Sequence, residues 1–474
     1  MLFCLLRPYP WRRWLRLGLE AYRRLAPWPA LAVGAAGLGL VAASPGPGLS
    51  LGALGVLALL VGARADVGLG LAVFLVPLAP LHKRFGPAQF SYLEMVTLLT
   101  VAGVLLEEAR TVLRSLPARP RGRALGRWLR QLQGLDVGFA LLAAAALLSL
   151  SASQWLWVSL RELRVVVLQA VLLYVLIVRL RPDRDGVLRL VDLAVASAAL
   201  VSLQGLYQYA CTERVVLVEG VRRIRGIYGS PNNLALVLGR LLPLMLAMVL
   251  CGPRGRRRRA YALAALPGLV CFFLTFSRGG WLVGLPAALL ALAMLAGRRP
   301  ALVALGLLAV AALALVPLVA TERFASLFAG QGTTLLRLKL WEAAWEMARD
   351  HPLLGVGLDN FLYHYPRYIR PEALSEPNLS HPHNVLLDFW LRLGLPGLAA
   401  FAWVEWCYFR SALRLWRERL DLALWAVSVG LIAGMVDMLA HGLIDASFFV
   451  VELAGLAAVM AGLVRVMGRP ARPD

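Results

Sequence analysis

Four of the six histidines, His351, His364, His381 and His383, fall in one polar stretch, residues 321–383. The last two belong to the run His381-Pro382-His383-Asn384, directly before an apolar segment. A neutral imidazole at the mouth of a membrane span lies within reach of water yet beside low dielectric, and can take a proton near neutral pH. The plainer reading of such a histidine is a cap or an interfacial side chain. Arginines form the second set. RIRGIYGSPNNLA carries Arg223 and Arg225 just before another span, with Ser230 and Pro231 suited to a helix start and Asn232 following. Backbone amides at a helix start beside arginines make an anion site; the alternative is a loop with interfacial arginines. Ser277-Arg278-Gly279-Gly280-Trp281 is a two-glycine turn whose glycines permit close approach. Alone, it also reads as an interfacial Arg/Trp anchor.

These residues must be positioned by membrane helices. Sixty per cent of the 474 residues are apolar and 16% charged, which excludes an ordinary soluble domain. Apolar runs at 27–43, 47–63, 66–80, 91–107, 136–153, 162–179, 187–210, 232–251, 260–276, 281–297, 300–320, 385–407, 421–439 and 444–466 suit helices crossing a hydrocarbon core of about 30 Å. The expected fold class is all-α, a polytopic membrane helix bundle of about 12–14 spans with one large extracytoplasmic loop. The expected order is a basic interfacial cytoplasmic segment (1–26), a transmembrane bundle (27–320), a periplasmic loop domain (321–383), C-terminal transmembrane helices (384–466) and a cytoplasmic tail (467–474).

The net charge of +22 sits mostly in short clusters between apolar runs. That is the positive-inside pattern and points to topology and membrane lipids, with no nucleic-acid partner. Connections 108–135, 180–186, 252–259, 298–299 and 408–420 are basic and share one side with both termini. The opposite, extracytoplasmic side receives 211–231, 277–280 and 321–384. Arg222, Arg223, Arg225, Arg278 and Arg337 then stand against the bias, and each calls for a carboxylate or an anionic ligand nearby.

Within the polar stretch, residues 333–350 (TTLLRLKLWEAAWEMARD) have helical periodicity, with Leu336, Leu340, Ala344 and Met347 on one stripe and His351-Pro352 as the stop. Asp388 and Arg392, at i,i+4 inside a span, are expected to face the protein interior. Asp437, His441 and Asp445 follow an i,i+4,i+8 spacing across the last outer turn, more consistent with an inter-helix hydrogen-bond network than with a pore relay. The five cysteines are scattered, without metal-ligand spacing. There is no zinc-type His/Cys pattern and no nucleotide loop, so no metal, no cofactor and no nucleotide hydrolysis is expected.

Taken in one order, RxRGxYGSPNNLA, FSRGGW, RLKLWEAAWEMARDHPLLGVGLDNF and HPHNVLLDFWLRLGLPGL resemble the O-antigen ligase/polymerase (Wzy_C-type) superfamily over roughly residues 200–460. The resemblance implies a GT-C-like membrane fold and metal-independent glycan transfer from an undecaprenyl-diphosphate carrier on the periplasmic face of the bacterial inner membrane. It implies Arg278 and Arg223, or Arg225 in its place, as the grip on the donor diphosphate, Arg337 as an assistant, and His383 as the group that activates the acceptor hydroxyl. Asn232, Asn384 and His381 are expected to bind substrate beside them. Paired arginines suit a diphosphate leaving group, whose developing charge is the main need. The partners implied are the lipid-linked glycan donor and either a lipid A-core acceptor (ligase) or a second lipid-linked unit (polymerase). Two rivals remain at this level. A transporter of lipid-linked sugars would carry charged residues deep in several spans. A shape-and-division-type peptidoglycan polymerase would need an acid in an outer loop, for which Asp359 and Glu376 are candidates.

Overall fold

The computed structural model describes residues 10–114, 132–218, 220–319, 333–418 and 421–468. The chain divides into two compact units, Met1–Leu75 with Leu81–Gly122, and Val76–Pro80 with Arg123–Asp474.

The first unit begins with the arginine-rich amphipathic helix α1 (Pro10–Arg24) and continues with α2 (Pro27–Ala43), α3 (Pro47–Ala63) and α4 (Ala65–Leu75). Proline in the first turn of α2 and α3 supplies the helical φ where no amide partner is needed. α3 and α4 meet at 116°. The hairpin β1 (His82–Phe85) and β2 (Ala88–Ser91) leads into α5 (Tyr92–Arg114). Lys83 donates from Nζ to the carbonyls of Val41 and Ser44, a cation on the carbonyl end of α2.

The second unit contains α6 (Gly134–Ser149), α7 (Leu156–Glu162), a π-turn at 163–168, α8 (Gln169–Leu180) and α9 (Arg184–Cys211). The hairpin β3 (Val216–Val218) and β4 (Val221–Arg223) precedes α10 (Pro231–Cys251), α11 (Arg256–Leu274), α12 (Leu285–Leu295) and α13 (Arg298–Val319). Then come α14 (Thr333–Asp350), the short α15 (Phe361–His364), α16 (Val385–Glu418), α17 (Leu422–Gly442) and α18 (Val451–Met467).

This is an all-α polytopic membrane protein, and its helices fall where the apolar runs fall: 27–43 and 47–63 are α2 and α3 to the residue. Six helical stretches, Gly134–Ala152, Leu156–Leu180, Arg184–Cys211, Pro231–Cys251, Val385–Glu418 and Leu422–Gly442, are each long and apolar enough to cross a membrane. The bent pair α3–α4 makes a seventh if it is one span. Among the described residues, that is below the expected count of about twelve to fourteen. The reason is visible in the remaining helices. α2, Gly280–Leu295 and α18 are shorter than a full span, while α5 and α11 carry glutamates or arginines within their length.

The polar stretch is docked into a break in the bundle. α16 is interrupted at Gly394, whose φ is +68°. Pro352–Val356 lies across that break: Val356 N donates to Leu391 O at 2.7 Å, and Leu395 N donates to Pro352 O at 3.0 Å. The glycines are obligatory here. A Cβ on Gly355 (φ +69°) would overlap Leu391 O, and one on Gly394 would overlap Leu353 O. The expected stripe of α14 packs beneath, with Leu340, Ala344 and Met347 buried against Val356, Phe361, Tyr365 and Leu391. Residues 320–332, the first part of the expected loop domain, lie outside the described residues, as do 1–9 of the N-terminal segment and 469–474 of the tail.

Gly394→Ala combines a left-handed backbone with a backbone overlap and should destabilise by more than about 2 kcal/mol. Gly306→Ala, in open space on α13, should stabilise slightly or change little, within about 1 kcal/mol. Thermal unfolding of the purified variants in detergent compares them; equal midpoints would overturn the docking account.

Candidate functional site

Asp445, in the turn between α17 and α18, lies at the centre of the site. It is 4% exposed. Its Oδ1 is 2.8 Å from His383 Nδ1 and its Oδ2 accepts from Asn232 Nδ2 at 2.7 Å. Arg337 Nη2, on the first turns of α14, stands 3.8 Å from the same Oδ2. Asn232 in turn accepts at Oδ1 from Arg223 Nη2 at 2.8 Å, and Arg223 Nε donates to Thr275 O at 2.7 Å. Segments from distant parts of the chain, β4, the start of α10, the 275–281 turn, α14, the HPHN run and the α17–α18 turn, thus converge on one carboxylate.

Local sequence explains each placement. Ser230 caps α10 by accepting from Asn233 N at 3.2 Å, and Pro231 fills its first turn, so Asn232 projects from a fixed helix start. Asn384 does the same for α16, accepting from the amides of Leu386 and Leu387 at 3.0 and 3.1 Å. Its Nδ2 also donates to Leu443 O at 3.0 Å, tying α16 to the turn that bears Asp445. Trp341 Nε1 on α14 donates to Pro382 O at 3.0 Å and holds the HPHN run from the other side. His383 itself has a φ of +50°, a left-handed conformation uncommon for a residue with a Cβ and held by these surrounding contacts.

Burial pushes the Asp445 carboxyl up, but His383, Arg337 and His441 together hold it well below the usual carboxylate range. An ionised carboxylate only accepts hydrogen bonds. Asp445 therefore fixes the proton of neutral His383 on Nδ1 and leaves the lone pair on Nε2, the atom needed by a base. His381 lies beside it, ring centroids 4.3 Å apart, with Ser380 Oγ 2.9 Å from its Nδ1. Burial above all pushes the His381 imidazole down, so it is neutral at pH 7.

Arg223, Asn232, Arg337, His381, His383 and Asn384 are therefore gathered together. The two-glycine turn expected at 277–281 is instead a helix start, with Ser277 Oγ accepting from Gly280 N at 3.3 Å. Arg278 lies half-buried in its first turn, three residues beyond Thr275, whose carbonyl Arg223 holds. The glycines after it allow that turn to sit on His441: a Cβ on Gly279 would lie 2.8 Å from His441 Nε2. Arg225 is half-buried, and its side chain makes no hydrogen bond or ion pair with another described residue. Arg223 is the arginine tied into the carboxylate network, and Arg225 is the one with an uncommitted side chain.

The grouping of Asp437, His441 and Asp445 is corrected. α17 ends at Gly442, so Asp445 leaves the helical face and turns to His383. Asp437 and His441 are fully buried, and neither side chain hydrogen-bonds to any described residue, so the inter-helix network expected there is not formed. Asp388 and Arg392 do face the interior. Arg392 Nε donates to Asp388 Oδ1 at 2.7 Å and Nη1 to Glu162 Oε1 at 2.6 Å, with Asp359 Oδ1 at 3.6 Å. Its Nη2 reaches Ser380 O at 3.5 Å, so the cluster supports the loop leading to His381. Asp359, an outer-loop acid considered for a polymerase, is thus engaged in this ion cluster. Asp445 is the member of this cluster that sequence reasoning did not select as a site residue. Its i,i+4,i+8 spacing pointed at the helix rather than at the histidine 62 positions earlier.

Removing Asp445's charge should destabilise the fold, because a buried pair broken from one side leaves its partners uncompensated, at about 3–5 kcal/mol. A carboxyl held below its unfolded value stabilises above the unfolded pKa of about 4 and loses that contribution as pH falls through its folded value. Asp445→Asn should therefore melt earlier than the parent at pH 7, with the gap narrowing below about pH 4. A gap that widens on acidification would contradict the assignment.

Residues 262–402 match the family model described as O-antigen ligase. That segment contains Arg278, Arg337, His381, His383 and Asn384. An O-antigen ligase of Pseudomonas aeruginosa is 32% identical over 184 residues, 38% of this chain and 40% of the relative. The chain thus spans less than half the length of that curated relative. The kinship of the chain with the O-antigen ligase/polymerase superfamily is accordingly borne out, and it is carried by the segment that holds the paired histidines and the SRGG turn.

Proposed function

We propose that the protein is a metal-independent glycosyltransferase that moves a glycan from an undecaprenyl-diphosphate donor to an acceptor hydroxyl, as an O-antigen ligase. The observation that carries the reading is His383, whose Nδ1 is bonded to a buried, ionised Asp445. That arrangement makes Nε2 a base at a site otherwise rich in arginine. In the proposed step, Nε2 takes the proton of the acceptor hydroxyl as its oxygen attacks the anomeric carbon. The bond from that carbon to the donor phosphate oxygen breaks, and the diphosphate carrier leaves with the electron pair. Arg278 and Arg225 meet the developing negative charge, while Arg223 and Arg337 brace Asp445 and the base. His381 lines the substrate beside them, while Asn232 and Asn384, expected there as substrate ligands, are taken up by internal bonds and position Asp445 and the start of α16. In this reading the site faces the periplasm from the inner membrane, and the apolar helices hold the polyprenyl tail.

A polymerase uses the same donor chemistry and differs in acceptor. Purified protein incubated with undecaprenyl-diphosphate glycan and two alternative acceptors, without nucleotide, separates the two. Glycan on lipid A-core supports the ligase; longer glycan on a second carrier supports the polymerase; passage of the donor across liposomes without transfer would overturn both. Arg278→Ala should lower transfer about 10²–10³-fold and His383→Ala about 10²–10⁴-fold, each measured per mole of folded protein. His383→Ala at parental activity would remove the proposed base.

A further inference from the structure

The HPHN run and the α17–α18 turn bring together more than a base and its carboxylate. One donor atom each from His381, His383 and Asp445 lies within 4.8 Å of the other two. Two imidazoles and one carboxylate are a donor set suited to a borderline divalent cation such as Zn²⁺, with a fourth position for water. Donors around a tetrahedral zinc bound at about 2.0–2.1 Å sit roughly 3.4 Å apart. The widest separation exceeds that by up to about 1.4 Å, to be closed from His381 on the loop before α16, while His383 Nδ1 and Asp445 Oδ1, 2.8 Å apart, would part by about 0.6 Å to admit the ion.

We infer that His381, His383 and Asp445 form an inhibitory zinc-class site, occupied in competition with catalysis. The inference rests on the proposed role of His383 as base and concerns the regulation of that same site. The chemistry follows from the proton position. With Asp445 as hydrogen-bond partner, neutral His383 carries its proton on Nδ1 and its lone pair on Nε2. When a metal ion takes the Nδ1 lone pair, the one remaining ring proton must sit on Nε2. No proton is gained or lost overall, but the nitrogen that accepted the acceptor's proton becomes a donor. The supporting shell is present. Ser380 Oγ is 2.9 Å from Nδ1 of His381, which orients that ring as second-shell partners orient metal ligands. Asn232 and Arg337 occupy the Oδ2 side of Asp445, while Oδ1 accepts from Ala446 N at 2.9 Å and from His383 Nδ1, and the bond to His383 is the one the ion would replace. The Arg337 guanidinium weakens a cation's binding, which suits a reversible inhibitor rather than a permanent structural ion.

Cobalt(II) added to the purified full-length protein in detergent tests the site directly, because tetrahedral cobalt has visible absorption bands. One equivalent should bind with a tetrahedral spectrum, and zinc should displace it. His381→Gln and His383→Gln, checked for parental elution and melting, should each abolish the spectrum. In the transfer assay, zinc should lower the rate about tenfold or more, since it removes a general base worth about 10²–10⁴, and a chelator should restore it. Absence of a tetrahedral cobalt spectrum in the parent, or a spectrum unchanged in both histidine variants, would overturn the inference. So would zinc binding that leaves transfer undiminished. The cobalt measurement needs no glycan substrate, so it succeeds or fails independently of whether the protein transfers glycan.

Discussion

The site depends on keeping one carboxylate ionised where it is nearly cut off from water. Desolvating Asp445 is costly, and the cost is offset only if every lone pair finds a partner. His383, Asn232, Arg337 and its own following amide at Ala446, 2.9 Å away, supply those partners. Each comes from a different element, so satisfying one small group fixes β4, α10, α14, α16 and the α17–α18 turn relative to one another. The geometry of the base is a consequence of this charge compensation. An apolar residue at position 445 would leave Asn232 and His383 without a common partner, and nothing else among the described residues holds those two side chains together.

A second constraint delivers the histidine. A helix as long as α16, 34 residues, would normally satisfy its amides internally. At Gly394 it does not, and the orphaned groups near the break are taken by the Pro352–Val356 backbone instead. The polar stretch is thereby pinned to the helix that begins two residues after His383. Trp341 then closes onto Pro382, and Arg392 onto Ser380. Gly355 of LLGVGL and Gly394 of LRLGLPGL are two halves of one contact, since a side chain on either would strike the other segment's carbonyl.

Much of this was legible in the residues. Apolar runs located the helices, the stripe of α14 predicted its buried face, and Arg337 against the charge bias called for a carboxylate or an anionic ligand, with Asp445 standing 3.8 Å from it. Local patterns failed where the information is non-local. The break at Gly394 is decided by a partner 40 residues away, and helix length in an apolar run says little about whether a membrane is fully crossed. Asp445 was hidden by its spacing from Asp437 and His441, because periodicity cannot tell where a helix stops when the chain turns without a proline. The pairing of His381 and His383 with Asp445 is equally invisible to any motif of fixed spacing.

A transporter of lipid-linked sugars would carry charges deep in several spans, and deep charges are present: Arg240, Asp437 and Glu452 are all buried within helices. Their arrangement bears on function more than their presence does. Arg240 on α10 donates to the carbonyls of Ser447 and Leu453, the ends of the segment that follows Asp445. Asp437 is wedged against Gly239 and Gly284, where a Cβ would meet its carboxylate. These groups join α10, α12 and α17 and hold the turn that carries Asp445. A path for a charged headgroup needs polar surfaces that can part as it passes, and helices whose glycines are pressed onto the buried acid cannot open there without losing the support of the site. The deep charges therefore serve the same convergence as the outer ones, which favours chemistry at a fixed site over movement through the bundle.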